Sequence, residues 1–222
     1  MVNQGFSSVL AAWPLFLSGL WLTIILAAVS CIAGTVLGML CAWGIVQGPG
    51  WLRRPLRYYV ELFRNTPFII QVFFIYFGLA SVGLKMTAVP ASLVALTLNL
   101  GAYACEIGRA GLEATPRGQV EAAESLALSR WQIFRYVLIP PALARVWPAL
   151  VSQLVIMMLA SSVCSQISAE ELSYQANFVA GKTFRSFESF SIVTGIYLLL
   201  AIIQRKLLLW AGPRFLFGQV KF

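Results

Sequence analysis

The stretch Phe16-Leu-Ser-Gly-Leu-Trp-Leu-Thr-Ile-Ile-Leu-Ala-Ala-Val-Ser-Cys-Ile-Ala-Gly-Thr-Val-Leu-Gly-Met-Leu-Cys-Ala-Trp-Gly-Ile-Val46 decides the fold. It carries no charged side chain and no proline, and as a helix it is long enough to cross a hydrocarbon layer of about 30 Å with room to tilt. The first charge in the chain is Arg53. A helix of everything before it would measure roughly 75 Å, more than twice that layer, so a break is expected near Pro14 to Gly19. The residues ahead of Pro14 are too few to cross and belong at the surface. Within the span, Ser30, Gly34, Gly38 and Ala42 recur every fourth residue. Small side chains in such a row let a second helix approach closely, which predicts a packing seam.

Working outward, the 222 residues are 59% hydrophobic and 11% charged, with a mean hydropathy of +0.82. Ordinary soluble domains carry about 25% charged residues, so this is a membrane protein with no room beside its spans for a soluble catalytic domain. The sequence contains no histidine and no aspartate, which removes the usual residues of metal-dependent and triad chemistry. Cys31, Cys41, Cys105 and Cys164 sit inside apolar runs without CxxC spacing and read as small apolar residues. The start of the chain lacks the basic region of a cleaved signal peptide. The net charge of +8 falls in short blocks between apolar runs, where it sets topology and gives no reason to expect a nucleic-acid partner.

The reading is a single all-α transmembrane domain over residues 1–222 with five transmembrane helices, at about 16–46, 65–84, 86–105, 146–169 and 189–204. The blocks after the first, third and fifth spans hold Arg53, Arg54, Arg57 and Arg64, then Arg109, Arg117, Arg130, Arg135 and Arg145, then Arg205, Lys206, Arg214 and Lys221. The other face holds only Lys85, Lys182 and Arg185. Basic residues favour the cytoplasmic side, so the N-terminus is expected outside and the C-terminus inside. After Lys206, Leu residues with Trp210, Phe215 and Phe217 beside Arg214 and Lys221 read as an interfacial anchor.

Between the third and fourth spans, about 114–141, runs Gly118-Gln-Val-Glu-Ala-Ala-Glu-Ser-Leu-Ala-Leu-Ser-Arg-Trp-Gln-Ile-Phe-Arg-Tyr-Val-Leu-Ile-Pro-Pro-Ala142. Val120, Ala123 and Leu126, then Ile133, Phe134, Val137 and Leu138, predict two short amphipathic helices ended by Pro140 and Pro141. Two short helices jutting from a membrane domain make a handle for another protein.

This segment resembles the cytoplasmic loop of the integral subunits of bacterial ABC importers, which reads EAA, a glycine, then I-x-L-P. Glu121-Ala122-Ala123, Phe134 and Val137 to Pro140 match; Ala127 stands at the glycine and Pro141 where the amino-acid branch commonly has glutamine. If the turn at Ala127 needs φ > 0, alanine there costs on the order of 1 kcal/mol. Glu61-Leu-Phe-Arg-Asn-Thr-Pro67 with Gln71 and Phe73-Phe-Ile-Tyr-Phe-Gly78, then Leu96-Thr-Leu-Asn-Leu-Gly-Ala-Tyr103 with Glu106 and Arg109, and Glu171-Leu172, are similar to signatures of the polar-amino-acid branch, which usually has glycine at Asn65.

The resemblance implies an inner-membrane permease working by alternating access as one of a pair. Two ATPase subunits, carrying ATP and its magnesium, would dock inside on Glu121, Ala122, Ala123, Leu126, Ala127, Ser129 and Phe134. An external amino-acid-binding protein would dock outside. With no G-x-x-x-x-G-K loop, this chain hydrolyses nothing itself.

For the substrate path the candidates are Asn99, Tyr103 and Glu106, at i, i+4 and i+7 on one helix face, with Gln71, Ser161 and Ser162. An intramembrane carboxylate normally faces a cavity or a partner, and pairing with Arg109 is the alternative role of Glu106. Hydroxyls in span four can also bond back to their own helix. Arg64 to Pro67 are expected to mark a helix start, with Pro67 in its first turn. A channel or secondary transporter for small polar solutes stays open as another class, and an opine or related amine as another substrate.

One departure carries an expectation of its own. The amino-acid branch commonly has Lys-Asp-Thr-Ser in span four, and alignment outward from Glu171-Leu172 puts Leu159, Ala160, Ser161 and Ser162 there. A buried ion pair is costly and is kept mainly where it serves binding, so its absence points to a heterodimer whose sister subunit holds the substrate; the alternative is a structural pair that Leu-Ala packing replaces.

Overall fold

The computed structural model describes residues 2–216; Phe217 and Lys221 of the expected interfacial anchor lie outside the described residues. Among the described residues there are helices and no strand. Helix α1 is Val2–Leu10 and α2 is Trp13–Gln47, broken apart at Ala11 and Ala12 with Pro14 in the first turn of α2. The break therefore falls slightly ahead of the expected one. Proline has no N–H to lose at that position, so it starts a helix readily. Gly48 and Pro49 end α2, and α3 (Gly50–Arg64) turns its Leu52, Leu56, Tyr59, Val60 and Phe63 side inward while Arg53, Arg54 and Arg57 stay exposed.

The second span departs from the expected 65–84. Helix α4 (Phe68–Ser81, with a π turn at Phe74–Gly78) measures only about 21 Å at helical rise, and it meets α3 at a bend of 112° across Asn65, Thr66 and Pro67. Pro67 is the cap before α4, and Arg64 is the last residue of α3. A residue ahead of proline is pushed out of helical backbone, which places the break here. Helix α5 (Ala88–Glu113) runs beyond the expected 105, and α6 is Arg117–Ser125.

Helix α7 corrects the reading of the two prolines. It runs from Arg130 to Ile167 as a short α turn, a π stretch at Ile133–Leu138, an α segment Ile139–Ala160 and a 3₁₀ turn Ser161–Ile167. Pro140 and Pro141 fall in the first turn of the α segment and do not stop the helix. The wider π turn ahead of them moves the carbonyls with which their rings would otherwise collide. Helix α8 (Leu172–Thr183) lies where no helix was expected, and α9 (Ser186–Ala211) is longer at both ends than 189–204.

The α2–α5 seam is the most extensive pairing. Ser30, Gly34, Gly38 and Ala42 are all buried, as their spacing predicts. A Cβ on Gly38 would lie 2.5 Å from that of Ala104, and one on Gly34 would lie 2.8 Å from Leu100, so only glycine permits this approach. The core adds α7: Leu26, Leu96 and Leu100 meet Leu150, Leu154 and Met157.

Contacts also fix which way each helix runs. Cys41 and Ile45 near the end of α2 cluster with Cys105 of α5 and Val60 of α3. Ile167 at the end of α7 lies with Ala91 and Val72 at the other end, and Leu172 packs on Phe16 there. Trp147 Nε1, midway along α7, donates to the Leu208 carbonyl near the end of α9 (3.0 Å). So α2, α4, α5, α7 and α9 run alternately between two ends, one bearing α3 and α6 and the other bearing α1 and α8. Among the described residues four helices are long and apolar enough to cross a membrane, or five if α3 and α4 count as one broken span.

Candidate functional site

Four of the six expected path residues lie along the groove between the α3–α4 bend and α5. Asn99 is buried on α5 and its amide donates to Gln71 Oε1 (2.8 Å). The Gln71 amide donates to the carbonyls of Phe63 (2.8 Å) and Thr66 (3.0 Å) and to Thr66 Oγ1 (2.8 Å). Phe63 is in the last turn of α3, where carbonyls have no partner within the helix, so Gln71 closes the bend and ties it to α5. Thr66 lies only five residues before Gln71, but the sequence marked it as part of a helix start and not as a partner of Gln71.

One turn further along α5, the Arg64 guanidinium lies 5.6 Å over the Tyr103 ring. Glu106 accepts from Arg109 at 2.9 and 3.1 Å and pairs with Arg64 at 3.4 Å; Arg109 also holds Glu113 at 2.7 Å. Asn99, Tyr103 and Glu106 thus share a face, and the pairing of Glu106 with Arg109 is present. Arg57, Glu61 and Arg64 of α3 complete a cavity of about 340 Å³ beside Glu106. Their spacing at i, i+4 and i+7 was a visible sign that they share one side of α3.

Ser161 and Ser162 take no part in that groove's hydrogen bonds. Ser161 donates to the Met158 carbonyl (2.6 Å), Ser162 to that of Leu159 (2.7 Å) and Ser165 to that of Ser162 (2.7 Å). The hydroxyls bond back to their own 3₁₀ turn. Ser162 and Leu159 line a separate space of about 450 Å³ with Ser173, Thr194 and Tyr197, between α7, α8 and α9.

Behind that space is a buried carboxylate that the sequence marked only through Glu171-Leu172. Glu171 caps α8 by accepting from the Tyr174 N–H (3.0 Å), and it also accepts from Tyr197 of α9 and, at 3.5 Å, from Thr23 of α2. The Leu172 N–H donates to Thr23 Oγ1 (3.1 Å). Three helices are joined at one side chain. Burial pushes the Glu171 carboxyl above its ordinary range, against the opposing effect of these donors.

The segment from α6 into α7 has two opposite sides. Ala123 (4% exposed), Ile133, Phe134 and Leu138 form a cluster with Leu112, and Phe134 lies 5.9 Å from Trp43 of α2. Ala127 has φ 55°, the left-handed value that its place at the family's glycine anticipated. The Leu128 N–H reaches the Ala123 carbonyl (3.3 Å) and the Ala127 N–H that of Glu124 (2.9 Å), which closes α6 in a Schellman turn. Ser129 and Gln132 then form a capping box that starts α7.

Glu121 and Ala122 are exposed. Leu126 does not join the inner face: it is 75% exposed, because as the residue after α6 it has left the helical period. Trp131 (59%) and Tyr136 (66%) are exposed beside it, and neither was singled out from the sequence.

Among the described residues no three His, Cys, Asp or Glu side chains converge as a metal site.

Residues 34–215 match the family model described as binding-protein-dependent transport system inner membrane component. The chain is 33% identical over 200 residues to the glutamine transport system permease protein GlnP of Escherichia coli (strain K12), covering 89% of this chain and 91% of that protein. It is 32% identical over 186 residues to the probable amino-acid ABC transporter permease protein YckA of Bacillus subtilis (strain 168), covering 84% and 82%. It is 34% identical over 207 residues to the octopine transport system permease protein OccM of Rhizobium radiobacter, covering 88% and 84%. A crystal structure of an amino acid ABC transporter with histidines superposes with a TM-score of 0.85 at 34% identity, covering 94% of this chain and 98% of that one.

Proposed function

Because the chain belongs to the family of binding-protein-dependent transport system inner membrane components, we propose that it is a permease subunit of an ATP-driven importer of amino acids. The observation that carries this reading is the two-sided segment from α6 into α7. Its inner face anchors to the bundle, while Leu126, Trp131 and Tyr136 stand exposed beside Glu121 and Ala122. Apolar side chains held out at the polar end of a membrane bundle fit a docking surface for a partner ATPase, which supplies ATP and magnesium.

In this reading α2, the bent pair α3–α4, α5, α7 and α9 are five crossings. The end with α3 and α6 carries most of the arginines and faces the cytoplasm, the N-terminus is outside, and the C-terminus is inside. A binding protein delivers the amino acid at the α1 and α8 end. Substrate passes the face of α5 bearing Asn99, Tyr103 and Glu106, with Gln71 opposite and Ser161 and Ser162 on α7, as two paired bundles open alternately outward and inward.

Leu159 supports a heterodimer. The space it lines with Ser162 and Tyr197 has no charged side chain among its described lining residues, so the ion pair common in the branch has no counterpart here. A sister permease would then hold the main substrate site. The amino acids named for the relatives, glutamine and histidine, and the opine octopine make the first panel of substrates.

The test is to purify the complex with its native partners and measure which of these compounds stimulates ATP hydrolysis through the binding protein. Stimulation by none of the panel would move the search to other amino acids, and solute flux that follows an ion gradient without ATP would replace this reading with a secondary transporter or channel. A functional homodimer of this chain alone would end the heterodimer. Cysteines placed at Lys85 or Lys182 should react with an impermeant thiol reagent from outside, and one at Gln119 should not.

A further inference from the structure

The cavity between α3 and α5, about 340 Å³, lies at the end opposite α8 and is lined by more charge than the Glu106 pairing uses. Glu106 is held by Arg109 and Arg64, and Arg109 is held in turn by Glu113. Arg57 and Glu61 also line the cavity, yet among the described residues neither forms an ion pair within 4 Å. They stand one helical turn apart, about 6 Å between side-chain roots, so a guanidinium and a carboxylate without ion-pair partners face one space. Ile45 and Val60 supply its apolar wall.

A guanidinium beside a carboxylate, neither in an ion pair, is complementary to a molecule that bears a carboxylate and an ammonium on one carbon. We propose that this cavity is a binding station for a free α-amino acid, with the ligand's carboxylate on Arg57, its ammonium on Glu61 and its side chain against Ile45 and Val60. The volume is within the range of small-molecule sites. The station is distinct from the Asn99–Gln71 contact, whose polar atoms are occupied by each other and by the bend. Its ligand class rests on the transport reading; its geometry does not. A phosphoethanolamine headgroup pairs an anion with an ammonium in the same way, and lipid composition separates the two sources.

The complex, purified through a tag on this chain, is placed in nanodiscs of phosphatidylcholine and phosphatidylglycerol, with and without phosphatidylethanolamine. Equilibrium binding of tritiated L-glutamine and L-histidine is then measured. Saturable binding is expected in both lipid mixtures. Arg57→Gln and Glu61→Gln should each weaken it about tenfold, the loss of one charge-assisted hydrogen bond at an exposed site. The exchange Arg57→Glu with Glu61→Arg should restore most of it, because a zwitterion can bind in the reversed sense; a purely structural role for either residue predicts no such rescue.

Isotherms that are the same in all variants, or an absence of binding in the wild-type complex, would overturn the station. Amino-acid binding that disappears when phosphatidylethanolamine is present would assign the cavity to the lipid and overturn it too. ATP-driven uptake measured on the same preparation judges the transport reading separately, since its absence would sink that reading while the isotherms still decide the cavity.

Discussion

The α2–α5 seam and the α6–α7 segment are both built on small residues, but they use them for opposite ends. In the seam, Gly34 and Gly38 bring two long helices together, and every small residue of the row is buried within this chain. In the segment, only Ala123 turns inward, while Ala122 and Ala127 stay exposed next to Leu126, Trp131 and Tyr136. The difference teaches where the chain is self-sufficient. Seam packing is complete without another molecule, whereas the outer face of the segment leaves large apolar side chains uncovered, which a soluble-facing surface does not normally retain.

The hardest test of this contrast is a methyl-bearing residue in the seam. Gly38→Val would force a Cβ onto Ala104 and to 2.7 Å from the Gly101 carbonyl. Overpacking of this kind is expected to destabilise by about 1–3 kcal/mol or more, seen as a lower thermal midpoint in detergent and a smaller monodisperse fraction. A fully stable variant would mean that the helices can separate at little cost.

Next in size is a pH effect at the far end, where Glu171 joins α2, α8 and α9. Its carboxyl is raised by burial, so its contribution to stability is present below the unfolded value and is lost as pH rises through the raised value. Thermal midpoints should therefore climb on acidification through the upper part of the carboxylate range, and Glu171→Gln should flatten that slope. An identical pH profile in the variant would remove Glu171 as its source.

A smaller change is expected at Ala127, whose φ of 55° suits glycine. Ala127→Gly should stabilise the segment by up to about 1 kcal/mol, read as slower proteolysis or slower amide exchange between Glu121 and Gln132. Faster exchange would show that the partner-free turn differs from the one described.

Least of all in fold stability, and largest in its meaning for the comparison, is Glu121→Lys. The side chain is exposed, so the midpoint should move by no more than about 0.5 kcal/mol, while the ATPase should fail to co-purify. Normal transport in this variant would remove the coupling role. Ala123→Leu is a different experiment, because Ala123 packs against Ile133 and Phe134, and it should loosen the segment from the bundle as well.

The sequence by itself determined whatever depends on local spacing. The long uncharged run, the four-residue row of small side chains and the shared face of Asn99, Tyr103 and Glu106 follow from helical geometry, whereas the left-handed turn at Ala127 was suggested only by the glycine that the resembling family has there. Only the tertiary structure decided what depends on elements far apart in the chain. Pro140 and Pro141 are tolerated because a π turn precedes them, Gln71 is committed to closing a bend, and Leu126 turns outward where its helix stops. Glu171, one acidic residue among eight in the sequence, becomes the meeting point of three helices because Thr23 and Tyr197 are brought to it from 148 and 26 residues away. A buried polar group needs partners wherever the chain can supply them, and that requirement leaves no period in the sequence to read.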